Sequence, residues 1–323
     1  MEPSLASQIK KKALQLGFAK VGIAPPESLA TELDHFQKWL AQGFNGEMKW
    51  MEREPAQRAD PRLFWPQARS VIAVALNYYT PHQHEVSTTC GSGWLGGQAQ
   101  TTGKVSRYAW GDDYHDIVGD KLRELLSWIK NQCPAAEGKV CVDIQPVMDK
   151  AWAARAGLGW IGKHTNLITN EFGSWVFIGE LLLNLDLEPD TTGVADQCGS
   201  CTLCLDACPT NALVEPYVLD ANLCISHATI ESRTPEIRAD VAEHLEGWLY
   251  GCDICQDVCP WNQMATASTE PRFEPRADNV NASLSELLEL TPEAYAARFR
   301  GSAMKRAKLA GLQRNSRALI DSH

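Results

Sequence analysis

The spacing of apolar residues along the first half of the chain predicts intermixed helices and strands. Between residues 4 and 17 the apolar positions recur every three or four residues, which predicts a short helix capped by Ser4 and ended by Gly17. Residues 115–130 have the same helical spacing. Apolar runs predict strands at residues 69–79, 139–144 and 174–183. We therefore expect one α/β or α+β domain around a mixed sheet over residues 1–190.

Composition divides the rest of the chain into further units. Residues 82–102 are rich in Gly, Ser, Thr and Gln, which predicts an exposed loop. A polar join at residues 187–197 precedes a cysteine-rich segment, and Ser283 and Glu286 form a capping-box pattern before a helical stretch. The expected domains are residues 1–190, residues 191–268 and a helical C-terminal tail at residues 269–323.

Charge and cysteine content narrow the function classes. The 323 residues carry a net charge of −10, which by itself argues against a nucleic-acid partner. Residues 298–317, however, hold seven Lys or Arg and no acid, and without them 23 basic residues face 40 acidic ones, a net −17. This basic end is either a solvated helix face or a phosphate-contacting surface. With no secretory pattern and no apolar run of membrane-spanning length, the expected location is the cytoplasm, with no membrane partner.

Seven of the eleven cysteines lie in two short segments. The first, CGSCTLCLDACP, has the x2, x2, x3 spacing and final proline of bacterial ferredoxins, in which the fourth cysteine ligates a second [4Fe–4S] cluster. The second, CDICQDVCP, is one cysteine short, and Cys224 is the only other cysteine in this region. The prediction is two [4Fe–4S] clusters, one held by Cys198, Cys201, Cys204 and Cys259 and the other by Cys208, Cys224, Cys252 and Cys255.

Other interpretations of the cysteines are weaker. A pair of Cys₄ zinc sites is possible, but such sites normally use separated Cys-x2-Cys pairs. Cys90, Cys133 and Cys141 have no motif partners and are expected to be ordinary thiols. A two-cluster relay spans only residues 198–262, so the remaining chain must hold whatever receives the electrons. No G-x-G-x-x-G or P-loop pattern is present, and the near miss DYHDIVG disfavours a histidine-ligated corrinoid, which leaves His115 as a structural residue.

Longer motifs resemble the epoxyqueuosine reductase family. They are RYAWGDDYHDIV, VDIQPVMDKAWAARAGLGWIGKHTNLI, CISHATIES and GWLYGCDICQDVCPWN, together with the first cysteine run, in the family's order along nearly the whole chain. The resemblance implies an α+β fold: a cobalamin-binding mixed α/β core related to reductive dehalogenases, a ferredoxin-like two-cluster module and a helical tail. It also implies base-off cobalamin with no histidine ligand, and a tRNA anticodon stem-loop as substrate.

The implied reaction turns the epoxide of epoxyqueuosine, at the tRNA wobble position, into an alkene with two electrons and two protons and loss of water. The resemblance gives the proton donor as the aspartate after valine in a Val-Asp-Thr-x-Pro-like segment, here VDIQP, and so Asp143. A carboxylic acid whose pKa is raised by burial would suit that role. Ile144 and Gln145 depart from the pattern, and Asp143 could instead end a strand.

The resemblance implies further contacts. Cofactor contacts are expected from Arg58, Asp143, Gly162, Lys163, His164, Asn166, Thr169 and Ser226. Contacts to tRNA phosphates are expected from Arg298, Arg300, Lys305, Arg306, Lys308, Arg314 and Arg317. The expected partners are tRNA and a low-potential electron donor, and the expected state is a monomer. The alternatives are a corrinoid reductase of a small molecule, resembling reductive dehalogenases, and a non-catalytic electron-transfer protein.

Overall fold

The computed structural model describes residues 3–81, 101–190 and 193–321. Its helices are α1 (Leu5–Gln15), α2 (Ala30–Ala41), α3 (Pro55–Ala59), α4 (Pro61–Phe64), α5 (Tyr114–Gln132), α6 (Asp149–Arg155), α7 (Leu203–Asp206), α8 (Ile225–Ile230), α9 (Ala239–Ala242), α10 (Ile254–Asp257), α11 (Leu284–Glu289), α12 (Pro292–Arg298) and α13 (Lys308–Asp321). Its strands are β1 (Lys20–Ala24), β2 (Ser70–Asn77), β3 (Thr102–Val105), β4 (Gly138–Cys141), β5 (Trp160–Ile161), β6 (Leu167–Ile168), β7 (Val176–Leu183), β8 (Leu213–Glu215), β9 (Val218–Leu219), β10 (Trp248–Tyr250) and β11 (Asn281–Ser283).

Four strands form the main sheet in the order β1-β2-β7-β4. Each neighbouring pair is antiparallel, with Ser70 opposite Leu183 and Lys139 opposite Leu182. The expectation of a mixed sheet is therefore wrong for this layer, because β7 lies between β2 and β4, which share one direction, and runs opposite to both. The predicted elements at residues 4–17, 69–79, 115–130, 139–144 and 174–183 are confirmed as α1, β2, α5, β4 and β7.

Helices cover both faces of the main sheet. Helices α1 and α5 bury Ile9, Ile117 and Leu122 against one face, and α6 buries Trp152 against the other. Ser4 caps α1 as predicted, because its side chain accepts a hydrogen bond from the Ser7 amide. The chain ends the helix through Gly17 at φ +92°, a backbone conformation that favours glycine. This two-faced packing fixes the loop after β4, which carries the predicted proton donor.

A second sheet, in the order β10-β3-β11, joins strands from all three segments of the predicted domain division. Its core contains Leu249 from β10, Phe299 after α12 and Leu312 from α13. The C-terminal tail is helical as predicted, but it packs into the same core as the cysteine-rich segment. The boundaries at residues 190 and 268 stay predictions.

Two of the sequence predictions fall partly or wholly outside the described residues. The predicted loop at residues 82–102 is described only from residue 101, and Thr102 already begins β3. Cys90 also lies outside the described residues. Within the parts of the chain that are described, no helix has both the length and the apolar character needed to span a membrane.

Candidate active site

A large cavity of about 1830 Å³ brings together residues from the first domain, the cysteine-rich segment and the C-terminal tail. Its lining includes Asp143 from the loop after β4, Tyr114 from α5 and Lys305 from the 3₁₀ turn before α13. The same cavity is lined by Cys208, Cys224, Cys252 and Cys255. The predicted acid and the second predicted cysteine set therefore share one space.

The other predicted set of four cysteines lines a separate cavity of about 260 Å³, which contains Cys198, Cys201, Cys204 and Cys259. Burial and the neighbouring Cys259 thiol raise the pKa of Cys204 to about 11. In the large cavity, burial and the neighbouring Cys224 and Cys208 raise the pKa of Cys255. The structure thus brings together the two sets of four that the spacing predicts.

Buried polar contacts fix both cysteine sets to the rest of the fold. Asp253, between Cys252 and Cys255, accepts hydrogen bonds of 2.7 Å from the Ser106 hydroxyl and from the Arg107 amide. Arg107 itself is buried, with its guanidinium 4.2 Å from the centre of the Trp175 ring.

After Cys259, the carboxamide oxygen of Asn262 accepts the Ser174 amide at 2.7 Å. Gly173 makes this approach possible, because a Cβ there would lie 1.9 Å from that oxygen. These contacts set the distances between the cysteines and the first domain.

Asp143 lies in the cavity wall with its backbone in the left-handed region, at φ 60°. Its Oδ2 accepts a 2.7 Å hydrogen bond from the Tyr114 hydroxyl and lies 3.3 Å from Nε2 of His115. Burial raises the pKa of Asp143, but the hydrogen bonds from His115 and Tyr114 outweigh it and hold the pKa below its usual value. The raised pKa that would suit a general acid is therefore not found at Asp143 in this arrangement, and the side chain is 63% exposed to the cavity.

Two further carboxyl groups, those of Asp149 and Glu180, lie behind the loop that carries Asp143. Oδ1 of Asp149, at the start of α6, lies 3.4 Å from the Asp143 amide, which donates to it. The Asp149 carboxyl group also acts electrostatically on that of Glu180, a fully buried residue in the middle of β7. Burial raises the pKa of Asp149 to about 6, and burial together with Asp149 raises that of Glu180 well above its usual value. Neither Glu180 carboxyl oxygen has a hydrogen-bond partner among the described residues, and a fully buried carboxylate without one is costly, so Glu180 is held in its neutral, protonated form.

Four of the predicted cofactor residues line the large cavity: Asp143, His164, Asn166 and Ser226. The carboxamide of Asn166 accepts a 2.8 Å hydrogen bond from Lys150, another lining residue. Nδ1 of His164 accepts the Asn166 amide at 3.2 Å, which places the ring proton on Nε2. That buried Nε2 has no partner among the described residues, and burial lowers the pKa of His164 to about 4, so the ring is neutral.

The other four predicted cofactor residues are not in the lining of this cavity. Lys163 donates to the carbonyl oxygens of Gly199 and Cys201 at 2.6 and 2.9 Å, which supports the loop of the first cysteine set. Thr169 is fully buried and donates to the Gly173 carbonyl. Gly162 makes turn hydrogen bonds to residues 165 and 166, and Arg58 contacts Trp50. Their predicted cofactor contacts stay predictions, and these positions favour supporting roles.

The seven basic residues of the C-terminal segment do not form one surface. Lys305, Arg306 and Lys308 line the large cavity, and Arg306 also forms a bidentate pair with Glu231 at 2.7 Å. Outside this lining, Arg298 lies 3.6 Å from Glu286, while Arg300 and Arg317 are exposed. Arg314 is buried and donates to backbone carbonyls of residues 228, 232 and 234. The expected phosphate contact from Arg314 is corrected here, because these bonds leave its guanidinium inside the protein.

Several residues of the site were missed or undervalued by the sequence analysis. His115 was expected to be structural, yet both of its ring nitrogens face carboxylates at the cavity. Tyr114 gave no signal beyond its place in a quoted motif. Glu180 was visible as the one acidic residue inside an apolar strand, which is the only hint that sequence offers for a buried carboxyl group.

Comparisons with known proteins identify the family of this chain. Residues 58–144 match the family model described as "Epoxyqueuosine reductase QueG, DUF1730", and residues 197–262 match a "4Fe-4S double cluster binding domain". The epoxyqueuosine reductase of Cellulophaga algicola is 44% identical over 307 residues, covering 95% of each chain. That of Synechocystis sp. is 44% identical over 301 residues, covering 92% of this chain and 99% of the relative.

Solved structures of epoxyqueuosine reductases are also similar to this chain. An epoxyqueuosine reductase in complex with an epoxyqueuosine-modified tRNA-Tyr stem loop superposes with a TM-score of 0.87 at 30% identity, covering 98% of this chain and 80% of that one. The Bacillus subtilis enzyme, with its aspartate-bearing catalytic loop swung out of the active site, has a TM-score of 0.85 at 30% identity over 98% of this chain and 81% of that one. The predicted α+β fold with a double-cluster module is confirmed, and the chain belongs to the epoxyqueuosine reductase family.

Proposed function

We propose that this protein reduces epoxyqueuosine to queuosine at the wobble position of tRNA. The epoxide loses its oxygen as water and becomes an alkene, which consumes two electrons and two protons. The single observation that carries this proposal is the large cavity, in which Asp143 and the cysteine set of Cys208, Cys224, Cys252 and Cys255 share one space. An electron source and a proton source are thereby brought to the same substrate.

The two cysteine sets fit two [4Fe–4S] clusters. All eight cysteines are free, and each set of four lines one cavity. Clusters of this kind carry electrons one at a time.

The large cavity also fits a corrin. Its volume suits a large cofactor, and the neutral Nε2–H of His164 is a buried donor without a partner among the described residues. His164, Asn166 and Ser226 would contact the macrocycle and its amide side chains. Cobalamin, when bound, supplies a cobalt centre that accumulates two electrons. We also propose base-off cobalamin without a histidine ligand: the ring nitrogens of His115 face Asp113 and Asp143, and Nδ1 of His164 accepts the Asn166 amide, so neither ring would offer cobalt a free lone pair in this arrangement.

Residues of the cavity wall would supply the protons that the reaction consumes. A departing oxygen is a poor leaving group unless it is protonated, and Asp143 is an exposed carboxyl group of the cavity wall. The Tyr114 hydroxyl fixes the orientation of Asp143 by donating to Oδ2 at 2.7 Å. Asp149 holds the Asp143 backbone from behind. Together these contacts hold the carboxylate in one position before the substrate arrives.

The substrate is proposed to enter beside the C-terminal segment. Lys305 and Lys308 are exposed at the cavity and would contact phosphates of an anticodon stem-loop. The modified base would then leave the loop to reach the cavity, as single-stranded loops permit. The similar structure with a bound tRNA stem loop supports this substrate class. The alternative, reduction of a small molecule, is not favoured by relatives that are all named epoxyqueuosine reductase.

We further propose that the protein works as a monomer in the cytoplasm and receives electrons from a low-potential donor. A single chain contains both cysteine sets and the proton-handling residues, so the site is complete without a second copy.

The test is an anaerobic single-turnover reaction with the chain loaded with iron, sulfide and cobalamin, a strong reductant and tRNA carrying epoxyqueuosine. Mass spectrometry of the nucleosides is expected to show loss of one oxygen atom, only when cobalamin is present. Absence of conversion in protein shown to hold both clusters and cobalamin would contradict the proposal.

A further inference from the structure

The reduction consumes two protons, and this makes the resting charge of Asp143 important. Hydrogen bonds from Tyr114 and His115 keep that carboxyl group ionised at neutral pH, as its lowered pKa shows. An ionised carboxylate has no proton to give. The proton that Asp143 delivers must therefore be stored on a neighbouring group.

His115 is the neighbour whose geometry fits that task. Its Nδ1 lies 2.7 Å from Oδ1 of Asp113, and its Nε2 lies 3.3 Å from Oδ2 of Asp143. A neutral imidazole carries one N–H and one lone pair, so it would direct a lone pair at one of the two carboxylates. Only the imidazolium donates to both. In agreement, burial lowers the pKa of His115, but the bonds to Asp113 and Asp143 raise it to about 9.

The surroundings hold the ring in this position. Asp113 caps α5 by accepting the backbone amide of His115 at 3.0 Å, while the same oxygen accepts the ring. The Tyr114 ring stacks on the His115 ring at 4.1 Å and on Phe177 at 4.4 Å, almost parallel to the latter. The His115 side chain is 28% exposed, so water reaches it.

Other charged groups act on this pair from neighbouring elements. Arg276 lowers the pKa of Asp113 from the C-terminal segment, and Lys150 of α6 lowers that of Asp143. Asp143 raises the pKa of Arg306. These cations stabilise the carboxylates in their ionised form, and the two carboxylates remain the direct partners of the His115 ring.

We propose that His115, oriented by Asp113, is the proton store of the reaction and passes its proton through Oδ2 of Asp143 to the epoxide oxygen. This rests on the proposed function. The first proton converts the oxygen into a hydroxyl group as the first C–O bond breaks. His115 then takes a second proton from water, and this proton turns the hydroxyl into water as the second C–O bond breaks. The two electrons from the low-potential donor form the π bond. His115 does not contact the substrate itself; it acts only through the Asp143 carboxylate.

The test is the pH profile of the single-turnover rate in wild type and His115→Gln, which keeps an amide donor but no transferable proton. The wild-type rate is expected to fall above about pH 9, as His115 loses its proton. In His115→Gln the falling limb moves to acidic pH, and the rate at pH 8 drops by about 100-fold or more. Asp113→Asn keeps the helix cap and moves the limb to lower pH without removing it. His244→Gln, an exposed histidine outside the cavity, is the matched control and keeps the wild-type profile.

A second readout does not depend on turnover. Nuclear magnetic resonance titration of the full chain, with the His115 signal assigned by its loss in His115→Gln, is expected to give a midpoint near pH 9 that falls in Asp113→Asn and Asp143→Asn. A wild-type pH profile in His115→Gln, or a His115 midpoint below pH 7, would overturn the proposal. If wild-type protein holding all cofactors converts no substrate, the proposed function fails instead, and the titration still tests the charge of His115.

Discussion

The molecule contains two carboxyl sites on either side of one loop, and they are held in opposite protonation states. Asp143 faces the open cavity, and Tyr114 and His115 lower its pKa. Glu180 is fully buried in β7, and burial with Asp149 raises its pKa well above the usual value. Groups of one chemical type thus acquire different roles from their surroundings alone. The open site is the one proposed to exchange protons, whereas buried Glu180 keeps its proton and Asp149 supports the loop.

The largest effect is expected from Asp143→Asn, because this change removes the carboxylate that passes the proton from His115 to the substrate oxygen. We expect the single-turnover rate to fall by about 10²–10⁴-fold, the usual contribution of a general acid. Iron and corrin contents are expected to match wild type, because the Asn carboxamide still accepts from Tyr114. A rate within threefold of wild type, in protein with full cofactor content, would place the proton donor elsewhere.

Glu180→Gln is expected to change stability rather than rate. The folded pKa of Glu180 is above its unfolded value, so its contribution to stability is complete at acidic pH and is lost as pH rises. The variant has no such loss, and its free energy of unfolding should gain on the order of 1–3 kcal/mol relative to wild type between pH 5 and pH 8.

Thermal unfolding of matched samples measures this difference. Each kcal/mol corresponds to roughly 2–4 °C in Tm for a chain of this size class. Glu171→Gln is a suitable control, since Glu171 is an exposed residue that pairs with Lys20. A difference in Tm between Glu180→Gln and wild type that is independent of pH would show that Glu180 is ionised in the folded protein.

Tyr114→Phe separates the orientation of the Asp143 carboxylate by Tyr114 from the storage of the proton on His115. The change removes the 2.7 Å hydrogen bond to Asp143 but keeps the ring stacked between His115 and Phe177. We expect about a tenfold loss of rate, equivalent to one lost hydrogen bond to a charged group. The falling limb near pH 9 should remain, because His115 is unchanged. Loss of that limb in Tyr114→Phe would assign the stored proton to the tyrosine.

The smallest effect is expected from Asp149→Asn. Burial raises the pKa of Asp149 to about 6, so the wild-type residue gains a negative charge as pH passes that value. That charge lies behind the Asp143 backbone rather than against its carboxylate, and it should change the rate by only about twofold. In the variant the inflection near pH 6 is expected to disappear from the rate profile. Its persistence would assign the inflection to another group.

The sequence predicts the parts of this protein whose signals are local. Seven of the eight predicted ligands follow from the cysteine spacing and Cys224 from elimination, whereas Asp143 follows from the resemblance of its VDIQP segment to the family pattern. Each set lines one cavity although its members come from separate segments, because the crossed ligation typical of two-cluster ferredoxins predicts which distant cysteines belong together. The strand directions in the main sheet could not be predicted from local patterns. They depend on the paths of the long connections between the strands.

Burial is the property that sequence patterns convey least. Arg314 belongs to a run of basic residues, yet it is buried under backbone carbonyls, while Lys308 of the same run is exposed at the cavity. Glu180 is one acidic residue in an apolar strand, and no periodicity marks it as functional. The charge of His115 depends on two carboxylates, and one of them, Asp143, is 28 residues away in the chain. Such long-range pairings arise only from tertiary packing.

Infrared difference spectroscopy tests the opposite protonation of the two carboxyl sites most directly. At pH 7 the full chain is expected to show the carbonyl stretch of a buried protonated carboxyl group, which disappears in Glu180→Gln and persists in Asp143→Asn. Asp143 is expected to contribute only a carboxylate band at this pH. A protonated band that is lost in Asp143→Asn would show that Asp143 stores its own proton, and His115 would then have no proton to supply.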